Sequence, residues 1–79
     1  MARIQIVSTH GSADPTRATL PWLLAKGAIE SGHQPQILLA GDAAILAHRT
    51  VVENVQGVGI PALRDLVGFA MEHKVPVFV

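Results

Sequence analysis

The chain has 79 residues, 49% apolar and 15% charged, and its six basic and six acidic residues cancel to a formal net charge of zero. No basic stripe is present, and Trp22, Phe69 and Phe78 are too few for a base-stacking series, so the footprint of a nucleic-acid binder is missing. With no cysteine, disulfides, thiolate metal sites and thiol chemistry are excluded within these residues.

The length suits a single domain spanning residues 1–79. The start, Met1-Ala2-Arg3-Ile4-Gln5-Ile6, is a strand pattern without the apolar core of a secretory signal, and no apolar run approaches the ~18 residues of a membrane span. A cytoplasmic location is the default expectation. The apolar fraction is high for so small a domain. It implies a surface shared with another subunit, or covered by chain beyond these residues.

Residues 3–9 read R-I-Q-I-V-S-T, a β-branched and nearly continuous apolar run that predicts a buried strand. His10 to Asp14 form a loop, and Asp14-Pro15 starts a helix with a side-chain acceptor followed by a residue already fixed near helical φ. The spacing predicts a helix over 15–31, with Leu20, Leu23, Leu24, Gly27 and Ala28 as its inner face and Gly32 as its stop. Pro21 lies inside it and should bend or loosen the first turns. Residues 35–40 predict a second strand, and Asp42 is placed to cap a short helix over 43–47. Residues 48–54 fit a helical turn or an irregular segment. A loop with two glycines follows. Pro61 then opens a helix whose apolar stripe is Leu63, Leu66, Val67, Ala70 and Met71. Residues 75–79 read as a third strand, with Pro76 tolerated near its start.

This alternation predicts an α/β fold with right-handed crossovers and a parallel sheet. The expected arrangement is three-layered and flavodoxin- or Rossmann-like, with strand order 2-1-3. The ligand crevice then lies where the winding reverses, beyond the carboxyl ends of strands 1 and 3. Such an order would put the loop 9–14 and Val79 at one rim, and the final strand reads as an incomplete end.

Several segments, taken in order, resemble the DsrE-like family of sulfur-relay proteins. They are Asp14-Pro15-Thr16-Arg17-Ala18-Thr19-Leu20-Pro21, Ser31-Gly32-His33, Gly41-Asp42-Ala43, the run from Val55-Gln56-Gly57-Val58-Gly59-Ile60-Pro61 through Leu66, and Lys74-Val75-Pro76-Val77-Phe78-Val79. The resemblance implies a compact α/β domain that assembles as a homo-oligomer, a trimer or hexamer, and meets a sulfur-carrier protein, with no cofactor. In catalytic members a cysteine that carries persulfide sulfur follows the strand matching residues 75–79. This sequence stops before that position, so persulfide transfer is implied only if a cysteine follows Val79. No catalytic residue is assigned within the chain.

The candidate ligand-binding residues are His10, Gly11, Ser12, Gly57 and Gly59. His10, after strand 1, is either a proton donor or anion contact beside a thiolate, or a loop histidine bonded to its own backbone. Gly11, Ser12 and the amides opening the first helix either hold an anion or form a plain tight turn. Gly57 and Gly59 either admit a ligand or neighbouring backbone, or supply positive φ in a loop. Neither phosphate-loop nor dinucleotide glycine pattern occurs, and His33, His48 and His73 share no metal-ligand spacing. His73 is expected to complement a helix carboxyl end. Trp22 reads as core or as an oligomer contact. The resemblance implies a role in intracellular sulfur relay or sulfur oxidation, or a non-catalytic relative of such proteins. A small-anion or nucleotide module and an oligomeric interaction subunit without chemistry are the alternative functions.

Overall fold

The computed structural model describes residues 2–79, the Arg49 side chain excepted. Three parallel strands, β1 (Arg3–Ser8), β2 (Gln34–Leu39) and β3 (Val77–Phe78), form one sheet. Helix α1 (Pro15–Glu30) joins β1 to β2. A 3-10 segment (Gly41–Ala47), the single turn α2 (Arg49–Val52) and helix α3 (Leu63–Glu72) join β2 to β3.

The ends of α1 form as their residues dictate. The Asp14 side chain accepts a hydrogen bond from the Arg17 amide at 3.1 Å, and Pro15 takes the first helical position. At the other end Gly32 adopts φ 83°, and the amide of His33 bonds back to the Ala28 carbonyl at 2.8 Å. A left-handed glycine after the helix is the usual way to satisfy its last carbonyls. The helix runs unbroken through Pro21. The end of α3 repeats the device with a costlier residue. Lys74 takes φ 56°, while Val75 bonds back to the Ala70 carbonyl at 3.0 Å.

The strand order is β1-β2-β3, not the expected 2-1-3. The reason lies on the helices. Leu63, Leu66 and Ala70 of α3 join the same buried cluster as Ala18, Trp22 and Ala25 of α1, Ile6 of β1, and Ile37 and Leu39 of β2. Both helices therefore cover one face of the sheet. A right-handed crossover that stays on that face carries the third strand past the second, in the direction already taken. Order 2-1-3 would need α3 on the opposite face. The described residues form two layers rather than three, and the expected reversal point between strands 1 and 3 is absent among them. Val79 lies beside the strand on the far side of β2 from β1.

Side chains alternate accordingly. Ile6 pairs with Ile37, which pairs with Val77, on the covered face. Val7, Leu38 and Phe78 form the next row, on the open face, where Val7 and Phe78 are about half exposed. The continuous apolar reading of β1 suggests burial on both faces, but burial occurs on one. Pro35 is harmless inside β2. Even-numbered amides of β2 point to β1, as in Gln34 to Ala2 and Ala40 to Ser8, while Ile37 bonds to Pro76 on the other side. Pro35 shares Ile37's side, where β3 pairing begins only at Ile37, so its missing donor has no partner to lose.

The inner face of α1 also differs from expectation. Ala18, Thr19, Trp22, Ala25 and Ala28 are buried, whereas Leu20 and Leu24 are 46% and 59% exposed. Trp22 belongs to the core. Small residues on the inner side let α3 and the sheet approach, and the leucines are left outward. The α3 stripe is buried as read at Leu63, Leu66 and Ala70, with Met71 at its exposed margin. That helix begins two residues after Pro61. The 3-10 segment is preceded by Ala40 and has no side-chain cap, so Asp42 does not take the capping role. Among the described residues, no helix is long and apolar enough to cross a membrane.

Candidate functional site

The carboxyl ends of β1 and β2 are where the loop after β1 meets the start of the 3-10 segment. Gly11 is buried there. A Cβ on it would overlap the Asp42 carbonyl oxygen and stand 2.9 Å from Ile45 Cγ2. Close backbone approach therefore explains this glycine. The Asp14 amide closes the turn on the Gly11 carbonyl at 3.1 Å. Between the two segments lies an open cleft of about 510 Å³ lined by Gly11, Ser12, Ala13, Gly41, Asp42 and Ile45. On its other side Ser12 borders a smaller hollow with Thr50, Val51, Asn54 and Val55.

The second pair of glycines sits against the first turn of α1. The Val58 amide donates to Thr16 Oγ1 at 3.2 Å, and Gln56 Nε2 donates to the carbonyls of Gly57 and Ile60 at 3.1 and 3.0 Å. A Cβ on Gly57 would lie 3.1 Å from Thr16 Cα and 2.6 Å from Ile60 Cδ1. Gly59 takes φ 72° with nothing near it, so its role is conformational. Gly11 and Ser12 thus share a cleft with Gly41 and Asp42. His10, Gly57 and Gly59 do not line it. His10 faces the Thr9 hydroxyl, with Nδ1 and Oγ1 3.1 Å apart.

The electrostatics of this cleft are acidic. Asp42 lines it, and among the described residues no basic side chain does. The Arg17 amide in the first turn of α1 is already taken by the Asp14 carboxylate, which the Arg17 guanidinium also approaches at 3.6 Å. One donor that would recommend the helix start to an anion is therefore occupied. Asp42 is the residue that motif reading missed here. Its sequence signal, Gly41-Asp42 directly after a strand, suggests a cap and gives no hint of the contact with Gly11.

A second cleft, also about 510 Å³, opens at the amino ends of the strands and is lined by Arg3, His33, His73 and Lys74 among others. Here α1 and α3 end, and basic groups at helix carboxyl ends are favoured by the helix dipole. The His73 ring nitrogen Nδ1 meets the Phe69 carbonyl at 2.8 Å, as the sequence led us to expect, and His33 Nδ1 accepts from the Ala2 amide at 3.0 Å. Helix-end complementation accounts for His73, whereas His33 ties the start of β2 to the residue before β1. Among the described residues, no group of three or more His, Asp or Glu side chains is placed to hold a metal ion.

Two polar side chains are buried without a protein hydrogen-bond partner among the described residues, Ser8 Oγ and Trp22 Nε1. Both belong to the layer between sheet and helices. No family model, curated protein or solved structure matches the chain.

Proposed function

We propose that this chain is a DsrE-like domain of an intracellular sulfur relay, working as a homo-oligomer (trimer or hexamer) beside a sulfur-carrier protein. The observation that carries the reading is the ordered set of matching segments together with where they fall. Asp14-Pro15 opens α1, Ser31-Gly32-His33 turns it into β2, Gly41-Asp42-Ala43 opens the 3-10 segment, and the Val55–Leu66 run enters α3. These are joints, where residue identity is dictated by backbone geometry and not by packing alone.

Residues 1–79 contain no cysteine, so any part they play in sulfur transfer is non-covalent. Persulfide transfer belongs to the protein only where a cysteine follows Val79. Persulfide-specific labelling and intact mass of the native full-length product test this. Labelling at a cysteine beyond Val79 supports a carrier role. A native chain ending at Val79 and inert to labelling removes it.

The alternative of a small-anion or nucleotide module at Gly11 and Ser12 is disfavoured by Asp42 in the cleft and by the occupied Arg17 amide. A stabilising thermal shift with inorganic phosphate, thiosulfate or ADP would restore it.

A further inference from the structure

The sheet is kept open at its amino end by two prolines. Strands β2 and β3 pair only from Ile37 and Val77 onward. Before that point Pro35 and Pro76 flank the gap, and neither has an amide hydrogen to donate across it. The cleft of about 510 Å³ at the amino ends of the strands is lined by both segments, residues 34–36 of β2 and 73–76 of the turn into β3. Arg3 reaches it from β1, His33 from the joint between α1 and β2, and His73 and Lys74 from the joint between α3 and β3. Among the described residues, no acidic side chain lines it.

Arg3 and Lys74 are not explained by the fold. The ion pairs among the described residues are Arg17 with Asp14 and Arg64 with Asp65, and neither Arg3 nor Lys74 takes part. The Lys74 side chain is not needed to finish α3. The carbonyls of Phe69, Ala70 and Met71 accept from the backbone amides of His73, Val75 and Lys74 at 3.2, 3.0 and 3.1 Å. Yet Lys74 holds φ 56°, a left-handed backbone that the end of α1 gives to Gly32. A side chain retained in a costly conformation points to a use for that side chain. The two helix carboxyl ends bring about half a negative charge each, so Arg3 and Lys74 leave the cleft about one charge positive.

We propose that this cleft binds a small hydroxylated phosphomonoester, of the sugar-phosphate class, with its phosphoryl oxygens on Arg3, Lys74 and His33. The histidine tautomer selects an anion over a metal ion. His33 Nδ1 accepts from the Ala2 amide at 3.0 Å, so the neutral ring carries its proton on Nε2. That nitrogen donates and has no lone pair for a metal. Three donors from three parts of the chain suit the three terminal oxygens of a phosphomonoester, whereas a carboxylate offers two oxygens in one plane. The volume exceeds the needs of a bare phosphate ion and falls in the ~300–1,000 Å³ range of small-molecule sites. Ile29 and Val75 give the organic part an apolar wall, and the carboxamides of Gln34 and Gln36 can bond its hydroxyls. The inference does not depend on the sulfur-relay reading. The walls all come from described residues, and β3 leads the chain away from them toward the other end of the sheet.

The test titrates the full chain with ribose 5-phosphate, inorganic phosphate and ribose, by isothermal calorimetry and by amide chemical shifts. Ribose 5-phosphate should bind about tenfold tighter than inorganic phosphate, and ribose should not bind. The shifts should fall at residues 33–36 and 73–76. Lys74→Gly should keep native circular dichroism and at least native stability, yet bind ribose 5-phosphate at least ~10-fold more weakly. A lysine with only a structural role would not separate stability from binding in this way. Arg3→Gln should show a similar loss of affinity, while Arg64→Gln, which removes an equal charge elsewhere on α3, should bind like the native chain. The absence of binding at ~10 mM ribose 5-phosphate overturns the proposal. So does native affinity in both Arg3→Gln and Lys74→Gly, or shifts confined to residues 10–14. Equal affinity for inorganic phosphate and ribose 5-phosphate overturns the assignment of an organic ligand.

Discussion

Gly11→Ala tests whether the loop after β1 is locked onto the chain after β2. The added methyl would overlap the Asp42 carbonyl oxygen and stand 2.9 Å from Ile45 Cγ2 and 3.3 Å from the Asp42 carbonyl carbon. Ile45 is 42% exposed, so its side chain has room to rotate away. The carbonyl belongs to the backbone and cannot move without displacing the start of the 3-10 segment. Overpacking of this kind costs about 1–3 kcal/mol, and the rigid obstacle puts Gly11→Ala in the upper half of that range. The lower entropy of an unfolded alanine chain returns about 0.4–1 kcal/mol. A net loss of about 2 kcal/mol follows, equivalent to a fall in Tm of roughly 8–16 °C for a domain this size. Gly68→Ala is the control. It lies inside α3 with nothing within 4 Å of a new Cβ, and should gain about 0.5–1 kcal/mol. Urea denaturation followed by far-UV circular dichroism reads both. A Gly11→Ala protein as stable as the native one would refute the close approach.

Asp14→Ala removes the side-chain acceptor for the Arg17 amide and should cost about 1 kcal/mol in the same assay. Lys74→Gly relieves a left-handed residue that carries a side chain and should stabilise by about 0.5–1 kcal/mol; a loss would mean that the Lys74 side chain is needed at the α3 carboxyl end. Ser8→Ala deletes a buried hydroxyl with no partner among the described residues and should gain up to about 1 kcal/mol; destabilisation would show that the hydroxyl is satisfied in solution.

Local features were legible before any coordinates. Asp14-Pro15 and Gly32 announce the ends of α1 because caps depend on a few adjacent residues. The α3 stripe is legible because its polar residues lie together on the other side. The facing of α1 was not legible. Leucines and alanines surround it, and only the partner helix decides that the small residues turn inward. Strand order failed for a related reason. Both orders obey the same handedness rule, and they differ only in which face α3 chooses, a matter of contacts such as Leu63 and Leu66 with residues some forty positions earlier in α1. At the candidate site, Gly59 could be read as a positive-φ glycine from its loop. Nothing local announces that Gly11 presses on Asp42.

The sequential order of the strands has a consequence for how the chain reaches this state. Each strand pairs with the strand next to it along the chain, so no pairing waits for a later segment to insert between two earlier ones. Short-range pairing lowers contact order, and low contact order speeds folding. The β1-α1-β2 unit is positioned to form first and present the edge of β2 as a template. β3 then adds to that edge through its short register of Ile37 with Val77 and Leu38 with Phe78. High φ-values at Ile6 and Ile37 with low ones at Val77 are the expected kinetic signature, and the reverse pattern would place nucleation at the late edge.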